Sequence, residues 1–362
     1  MSFENIQDQE VALRLLRGIV RRGRVPNGLL FWGPDGVGKR LAAYEFAKAV
    51  NCAESPDDAC DACLSCRKID HRNHADVVYI SPTGKTRIIK KEVIEDLNEM
   101  AAFRPFESAM RIVIIEDADR MNETAQNKFL KTLEEPPSNT AFVLLSGQPR
   151  FLLPTIRSRC QRVRFGALRP KTIAAMLARD PDISPEKSLA FAALSGGSMA
   201  RALDLAKTER RKVVMDVVKN LAEGEDPLAL SEQFGVYIQE TEKRIATKVM
   251  EDNPAPRKGD EDGEPAPDKE ALEAHITGLV RQEMIEHLVL FDAWYRDELV
   301  HSVTEDTRFT HNLDSTHMLG KRVNADVCAA KLQAITDAWK YIERNMNKQR
   351  IFRDLFFVLA GT

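Results

Sequence analysis

The stretch GLLFWGPDGVGKRLAAYEFAKAV, residues 28–50, decides the fold of the first half of the chain. It begins with an apolar run typical of a buried strand, and residues 41–50 are predicted to be helical. Between them, the glycines and Lys39 have the spacing of a phosphate-binding loop, whose backbone N–H groups hold phosphate oxygens. The predicted nucleotide-binding residues of this loop are Gly33, Pro34, Asp35, Gly36, Val37, Gly38, Lys39 and Arg40.

Arg40 departs from the pattern of a working loop. In such a loop, the residue after the lysine carries a hydroxyl group that ligates magnesium. Arg40 offers no hydroxyl and places a permanent positive charge near the expected position of the metal. The loop therefore disfavours hydrolysis, whereas binding of ATP through Lys39 and the glycines stays open.

A second departure follows the strand-like run Arg111–Ile115. A working site has Asp and then Glu at this point, the first holding the metal and the second orienting the attacking water. This chain has Glu116 and Asp117, in the reverse order, and a misplacement of about 1 Å in such a site can cost ~10²-fold in rate. The alternative is that both residues are polar caps of the strand.

Strand and helix patterns alternate in the first part of the chain. Residues 76–80, 111–115 and 141–145 are strand-like, and helical stretches at 90–102 and 122–135 separate them. This alternation predicts an α/β fold in which a parallel sheet has helices on both faces.

Beyond Leu168 the patterns are predominantly helical. Short helices are predicted at 170–179, 185–194 and 198–207, and longer helical regions at 209–250 and 270–360. We therefore predict three domains, at 1–167, 168–207 and 208–362. Residues 251–270, EDNPAPRKGDEDGEPAPDKE, are rich in proline, glycine and acids and are predicted to be a flexible acidic insertion.

Charge and hydropathy exclude some functional classes. A net charge of −3 over 362 residues, of which 30% are charged, argues against a polycation that coats nucleic acid by charge alone. The N-terminal MSFENIQDQEVALRLL lacks the pattern of a secretion signal, and no apolar run reaches the ~18 residues of a membrane helix. We therefore expect a cytoplasmic protein without a membrane partner.

Four of the six cysteines lie close together in the sequence. In a reducing compartment, the pattern C-x7-C-x2-C-x2-C predicts a closed tetrahedral site for about one structural zinc, which folds an insertion at about 52–75. The predicted ligands are Cys52, Cys60, Cys63 and Cys66. The alternative is four unrelated buried cysteines. His71 and His74 are nearby spare candidates for ligands, but we expect them to be surface residues.

Taken together, these residues resemble the bacterial clamp-loader subunits of DNA polymerase III, members of the AAA+ superfamily. The resemblance extends from about Phe3 to Ala206, and it is weaker in the C-terminal part, where WYRDELV and NLD carry it. The stretches that match are GLLFWGPDGVGK, the four cysteines, RIVIIEDADRMNETAQNKFLKTLEEPP, FVLLSGQP and LLPTIRSRC.

The resemblance implies an architecture and further site residues. The fold would be an AAA+ P-loop sheet with a zinc-binding insertion, a small helical lid domain and a C-terminal helical collar domain. Arg159, in the tripeptide Ser158-Arg159-Cys160, would be an arginine finger that reaches into the ATP site of a neighbouring subunit. Ser146 and Arg201 would occupy the two sensor positions, and Cys160 would be a small buried residue.

The resemblance also implies a role in DNA replication. In this family, the motor subunit keeps both magnesium groups, whereas the delta-prime class often combines a degraded loop with an intact finger. Arg40 and the Glu116–Asp117 order favour the delta-prime class, with little or no ATPase activity and no polymerase site of its own. Its implied partners are gamma/tau and delta subunits in a hetero-pentameric ring, the sliding clamp, and primer-template DNA contacted through the assembly.

Two other functions remain open at this point. An ATP-hydrolysing subunit of the gamma/tau type would turn over nucleotide alone, in a manner that depends on Lys39. A zinc-dependent DNA-binding module would bind DNA in a salt-sensitive manner, but the acidic balance of the chain counts against it.

Overall fold

A computed structural model describes residues 2–82, 88–251, 269–319 and 324–361. The chain divides into two compact units, one of residues 1–173 with 196–201 and the other of residues 174–195 with 202–362. Among the described helices, none combines the length and the apolar character that a membrane span requires. The division into three domains stays a prediction.

The strands and helices fall within the predicted regions, with shifted ends and some additions. The strands are β1 (Gly28–Trp32), β2 (Val77–Ile80), β3 (Arg111–Ile115), β4 (Thr140–Ser146) and β5 (Gln161–Arg164). The helices of the first half are α1 (Glu10–Arg22), α2 (Lys39–Val50), α3 (Leu64–Asp70), α4 (Lys91–Ala101), α5 (Glu123–Glu134), α6 (Pro154–Arg159) and α7 (Pro170–Leu177). The remaining helices are α8 (Pro185–Leu194), α9 (Met199–Lys207), α10 (Arg210–Ala222), α11 (Pro227–Glu251), α12 (Lys269–Thr304), α13 (Ala325–Glu343) and α14 (Lys348–Leu359).

The described strands form one parallel five-stranded sheet in the order β2-β3-β4-β1-β5. The predicted parallel α/β fold is therefore confirmed. Strand β5 was not predicted, because its sequence Gln-Arg-Val-Arg buries only Val163. An edge strand with polar residues on its open side gives little hydrophobic signal. In register, Trp32 pairs with Ser146 on one side and Arg164 on the other, so these strands end at one edge.

Alternate residues of the central strands supply two separate cores, one on each face of the sheet. Leu29 and Phe31 of β1 pack with Leu16 of α1 and Phe46 of α2. Leu30, between them, packs on the opposite face in a cluster with residues of α4, α5 and α6. Because successive side chains of a strand point to opposite faces, an unbroken apolar run indicates burial on both sides. The expectation of helices on both faces is confirmed.

The second unit is helical and has an aromatic core. Phe234 of α11 lies with its ring centroid 4.7 Å from that of Phe352 and 5.4 Å from that of Phe356, both on α14. Phe291 of α12 completes the group, 5.7 Å from Phe356. Such edge and tilted ring pairs stabilise a core beyond the area that they bury.

The two C-terminal stretches that carried the resemblance contact each other. Asp297, in WYRDELV, is fully buried, and its Oδ2 accepts hydrogen bonds from the backbone N–H groups of His311 and Asn312, both at 2.8 Å. Arg211 then pairs with Asp314, at 2.6 Å. A buried carboxylate requires such donors, because an unpaired charge away from water is costly. Hydrogen bonds to the buried carboxylate of Asp297 therefore connect the two stretches.

The predicted acidic insertion at 251–270 lies, apart from its ends, outside the described residues. Helix α11 ends at Glu251 and α12 begins at Lys269.

Candidate functional site

The predicted phosphate-binding loop joins β1 to α2, and Lys39 is the first residue of that helix. The lysine side chain is folded back onto the loop. Its Nζ donates to the carbonyl oxygens of Gly33, at 2.6 Å, and Pro34, at 2.7 Å, and forms an ion pair with Asp35, at 3.1 Å. The ammonium group would have to exchange these partners for phosphate oxygens if a nucleotide bound.

Glycine is required where the loop approaches the turn before α9. Gly36 has a φ of +74°, and a Cβ there would lie 2.3 Å from the Oγ of Ser198. The carbonyl oxygen of Gly36 accepts a hydrogen bond from the N–H of Met199, at 2.9 Å. No larger residue fits such a contact without moving the backbone, and it places the first turn of α9 beside the loop.

Glu116, directly after β3, is bound by two side chains of α2. Arg40 donates to its Oε2, and the hydroxyl of Tyr44 donates to its Oε1 at 3.0 Å. The Glu116 side chain is only 9% exposed, while that of Arg40 is 57% exposed. Burial, and then the neighbouring Glu116 carboxylate, raise the pKa of Tyr44, so its hydroxyl stays protonated as a donor.

The residues present do not fit a magnesium ion of the kind that this loop ordinarily holds. Magnesium requires oxygen ligands in near-octahedral geometry. Arg40 brings a guanidinium where a hydroxyl would be needed, and both oxygens of Glu116 already accept hydrogen bonds from the chain itself. The arrangement therefore replaces the metal contact with an internal ion pair.

These residues surround a cleft of about 680 Å³ at the carboxyl edge of the sheet. The cleft is lined by Asp35, Gly36, Gly38, Lys39, Arg40, Glu116, Asp117, Asp119, Arg120, Leu145, Gly147, Gln148 and Ala200. Most of the predicted loop residues and both predicted carboxylates thus lie together. They meet there because the strands are parallel, so the residues that follow β1, β3 and β4 share one edge.

The two predicted sensor residues lie next to the cleft lining. Ser146 is fully buried at the end of β4, where its Oγ accepts a hydrogen bond from the N–H of Gln148, at 3.1 Å. Arg201 is in the first turn of α9, and its backbone N–H donates to the Oγ of Ser198 at 3.3 Å. Their sequence neighbours Gly147 and Ala200 line the cleft itself.

Arg159 is the last residue of α6 and is not among the residues that line the cleft. Its guanidinium forms an ion pair with the carboxylate of Glu134, the last residue of α5, at 2.7 Å, and donates to the carbonyl oxygen of Thr155 at 3.2 Å. The side chains of Arg159 and Glu134 are 39% and 44% exposed. Cys160 is buried, as the resemblance implied, and burial raises the pKa of its thiol to about 12.

The four predicted ligands form a cluster in which the sulfur atoms all lie within 4.8 Å of one another. Tetrahedral zinc with Zn–S bonds of about 2.3 Å places its sulfurs about 3.8 Å apart, so the cluster is close to that geometry. The Sγ atoms of Cys52 and Cys60 accept hydrogen bonds from the N–H groups of Ser55, at 3.3 Å, and Cys63, at 3.2 Å.

The surroundings of Cys63 favour its thiolate form. Burial raises the pKa of this thiol, but hydrogen bonds from the N–H groups of Cys66 and Ala53 outweigh it and bring the pKa to about 7. Since the thiolate is the form that binds metal, this group is poised for coordination near neutral pH. All six cysteines are free thiols, and the donor set fits zinc.

Lys48 fastens the cysteine segment to α2, and the sequence patterns did not identify it. Its buried Nζ contacts the carboxylates of Glu45, at 2.8 Å, Asp61, at 2.8 Å, and Asp70, at 2.9 Å. Burial alone would lower the pKa of this lysine, but the three carboxylates outweigh burial and raise it. The ion pairs of Lys48 with Asp61 and Asp70 therefore hold the cysteine segment against α2, in addition to the contacts among the cysteines.

The expectation that His74 is a surface residue was wrong, whereas His71 is exposed. The imidazole of His74 is buried, with Nε2 3.2 Å from the hydroxyl of Ser65, and Nδ1 accepts from the N–H of Asp76 at 3.1 Å. Burial lowers the pKa of His74, which keeps the ring neutral. His74 therefore links α3, through Ser65, to the segment that leads into β2.

Two partners in the site were missed by the sequence patterns. Tyr44 lies four residues after Arg40 on α2, so helical spacing could have indicated that both side chains lie on one face. Glu134 ends the helix that precedes Pro136-Pro137, and nothing local distinguishes it from its neighbour Glu135. Its pairing with Arg159 depends on how α5 and α6 pack.

Comparison with known proteins identifies relatives for the first half of the chain. A family model described as DNA polymerase III, delta subunit, matches residues 8–169. The chain is 36% identical over 201 residues to DNA polymerase III subunit delta' of Bacillus subtilis, covering 56% of this chain and 60% of that protein. It is 34% identical over 207 residues to subunit delta' of Pseudomonas aeruginosa, covering 55% and 62%.

A relative with a different subunit name is similar over a comparable length of this chain. Subunit tau of Bacillus subtilis is 32% identical over 209 residues, covering 56% of this chain and 37% of that protein. The chain thus spans less than two thirds of the length of the delta' relatives that it matches. Residues 8–169 are thus similar to the delta and delta' subunits of DNA polymerase III.

Proposed function

We propose that this chain is a delta-prime-type subunit of the DNA polymerase III clamp loader. It supports ATP-dependent loading of the sliding clamp onto primed DNA, in a hetero-pentameric ring with gamma/tau and delta subunits. One observation carries the proposal: the carboxylate of Glu116 is bound by the chain's own Arg40 and Tyr44, while Arg159 lies at an exposed position outside that cleft.

In this proposal, the chain's own cleft does not catalyse hydrolysis. A working site needs a hydroxyl and a free carboxylate around the metal. Arg40 replaces the hydroxyl, and the carboxylate that follows the strand is occupied. Lys39 and the loop glycines leave nucleotide binding open, but the hydroxyl that would hold the metal is replaced and Glu116 is engaged.

Arg159 would act on the ATP of a neighbouring subunit. Its guanidinium is always charged and presents several donors in a rigid fork that matches phosphate oxygens. Such a finger stabilises the charge that develops on the transferred phosphoryl group, and it is worth ~10³-fold or more in rate. ATP binding next to Arg159 would close the assembly on the clamp and primer-template DNA, and hydrolysis would release them.

The remaining regions would serve the assembly. The four cysteines would hold one structural zinc that folds the insertion and takes no part in catalysis, since sulfur fills every ligand position. We propose that residues 168–207 form the lid domain and residues 208–362 the collar domain through which the subunits associate.

The test is ATP turnover by a loader reconstituted with the Arg159→Ala chain. We expect turnover to fall by roughly 10³-fold at the site that this residue serves. Arg162→Ala is the matched control, because it removes an equal charge from an exposed position of β5 nearby. Unchanged turnover with Arg159→Ala would rule out the finger.

A second candidate is an ATP-hydrolysing subunit of the gamma/tau type, which the 32% identity to subunit tau favours. It predicts substantial magnesium-dependent hydrolysis by the purified chain alone, abolished by Lys39→Ala. The proposed delta-prime role instead predicts little or no turnover until the other loader subunits are added.

A further inference from the structure

Arg159 differs from an ordinary surface arginine because its guanidinium is held from two directions. One terminal nitrogen lies 2.7 Å from the Glu134 carboxylate, and the other donates to the Thr155 carbonyl at 3.2 Å. The first partner is on α5, and the second is one turn earlier on α6 itself. Together they fix the position of the charged group relative to both helices.

The backbone beneath this side chain is also fixed. Ile156 is fully buried in the core on that face of the sheet, and Cys160 packs in the same cluster. At the other end of α6, the side chain of Gln126 on α5 accepts from the N–H of Leu153 at 2.7 Å and donates to the carbonyl of Phe151 at 3.1 Å. Helices α5 and α6 are therefore joined at both ends.

We propose that Glu134 is a positioning residue for Arg159, an inference that rests on the proposed function of Arg159 as a finger. The carboxylate holds the guanidinium near its working position before a neighbouring phosphate arrives. The benefit is entropic, because a long arginine side chain has many rotamers, and a side chain that is already ordered loses less freedom when it binds.

The pair leaves part of the guanidinium open to a neighbouring phosphate. A guanidinium carries five N–H donors, and the contacts with Glu134 and Thr155 involve only its two terminal nitrogens. The side chains of Arg159 and Glu134 are both more than a third exposed, so the remaining donors can bind phosphate oxygens while the pair with Glu134 persists.

The experiment compares kcat and KM for ATP in the reconstituted loader. We expect Glu134→Ala to lower kcat by about three- to tenfold, the factor that corresponds to ordering one flexible side chain, while the KM for ATP changes by less than about twofold. Glu134→Asp keeps the charge and should recover part of the loss. Glu135→Ala is the matched control, since it removes a neighbouring exposed carboxylate from the same helix end.

The outcomes separate this inference from the function on which it rests. If Arg159→Ala lowers turnover and Glu134→Ala does not, Arg159 is the finger and Glu134 does not position it. A rise in kcat with Glu134→Ala would mean that the carboxylate competes with phosphate, and an effect confined to KM would indicate a role in binding, so either result overturns the inference. If Arg159→Ala itself has no effect on turnover, the proposed function of Arg159 is wrong, and the inference about Glu134 falls with it.

Discussion

Arg40 and Arg159 both form an ion pair with a glutamate on a neighbouring element, but the two partners differ in burial. Glu116, the partner of Arg40, has a side chain that is 9% exposed, whereas Glu134, the partner of Arg159, is 44% exposed. A buried carboxylate strongly needs its donors, while an exposed one is well served by water. The difference teaches that Arg40 is committed to a buried internal partner, whereas the pair of Arg159 with Glu134 is open to water.

The cysteine cluster gives the largest expected effect, because a metal would hold four side chains, whereas each arginine pair joins two. We expect about one zinc per chain by metal analysis. Removal of a structural zinc costs on the order of 10 kcal/mol in small zinc-binding domains, so chelation should expose residues 52–75 to protease. Cys63→Ser should lose the zinc, whereas Cys328→Ala, outside the cluster, should retain it; a metal-free wild-type chain would contradict the prediction.

Arg159→Lys tests whether the available arginine works through its fork or through its charge. Lysine keeps the charge but cannot offer two parallel donors to phosphate. We expect ATP turnover of the reconstituted loader to fall by about 10²-fold or more, part of the ~10³ that a finger supplies. Arg162→Lys should leave turnover unchanged, and full activity of Arg159→Lys would reduce the role of Arg159 to a general charge effect.

The pKa of the buried His287 is lowered because the nearby Glu283 carboxylate does not fully offset the effect of burial. His287 is fully buried against the rings of Phe234 and Tyr237, and burial lowers its pKa to about 4 even though Glu283 opposes the shift and Arg210 adds to it. The unfolded chain has a histidine pKa of about 6.5 and binds a proton first on acidification. Stability should therefore fall by about 3 kcal/mol between pH 6.5 and pH 4 through this group.

The measurement is urea unfolding of the full chain at several pH values. His287→Phe should flatten the dependence in that window, because no proton is taken up at this position on unfolding. An equally steep dependence in the variant would assign the effect to other groups.

A double-mutant cycle on Arg40 and Glu116 measures the closed pair directly. Alanine at either position and at both should give a coupling energy of about 1.5 to 3 kcal/mol, the range for hydrogen bonds to charged groups. Urea unfolding followed by circular dichroism supplies the values. A coupling near zero would mean that Arg40 does not hold the buried carboxylate.

The same cycle on Arg159 and Glu134 should give the smallest effect. Both side chains are more than a third exposed, so we expect a coupling energy below about 1 kcal/mol that weakens further with added salt. A value as large as that of Arg40 and Glu116 would remove the distinction between the two arginines.

Much of the α/β fold could be predicted because its signals are local. The apolar run of β1, the glycines of the loop and the spacing of the cysteines each act over a few residues. Strand β5 could not be predicted, since a short edge strand with exposed arginines has no hydrophobic pattern. His74 was placed wrongly because its burial depends on packing by Ser65 and Asp76, not on its own polar neighbours.

The sequence by itself determined that a strand, a glycine-rich loop and a helix follow one another, that Arg40 stands where a hydroxyl is expected, and that four cysteines have metal-ligand spacing. Only the tertiary structure decided which partners the charged groups have. Arg40 meets Glu116 across 76 positions of the chain, and Arg159 meets Glu134 on another helix. These encounters depend on the parallel order of the strands and on helix packing, which bring distant residues to one edge and determine how far water reaches them.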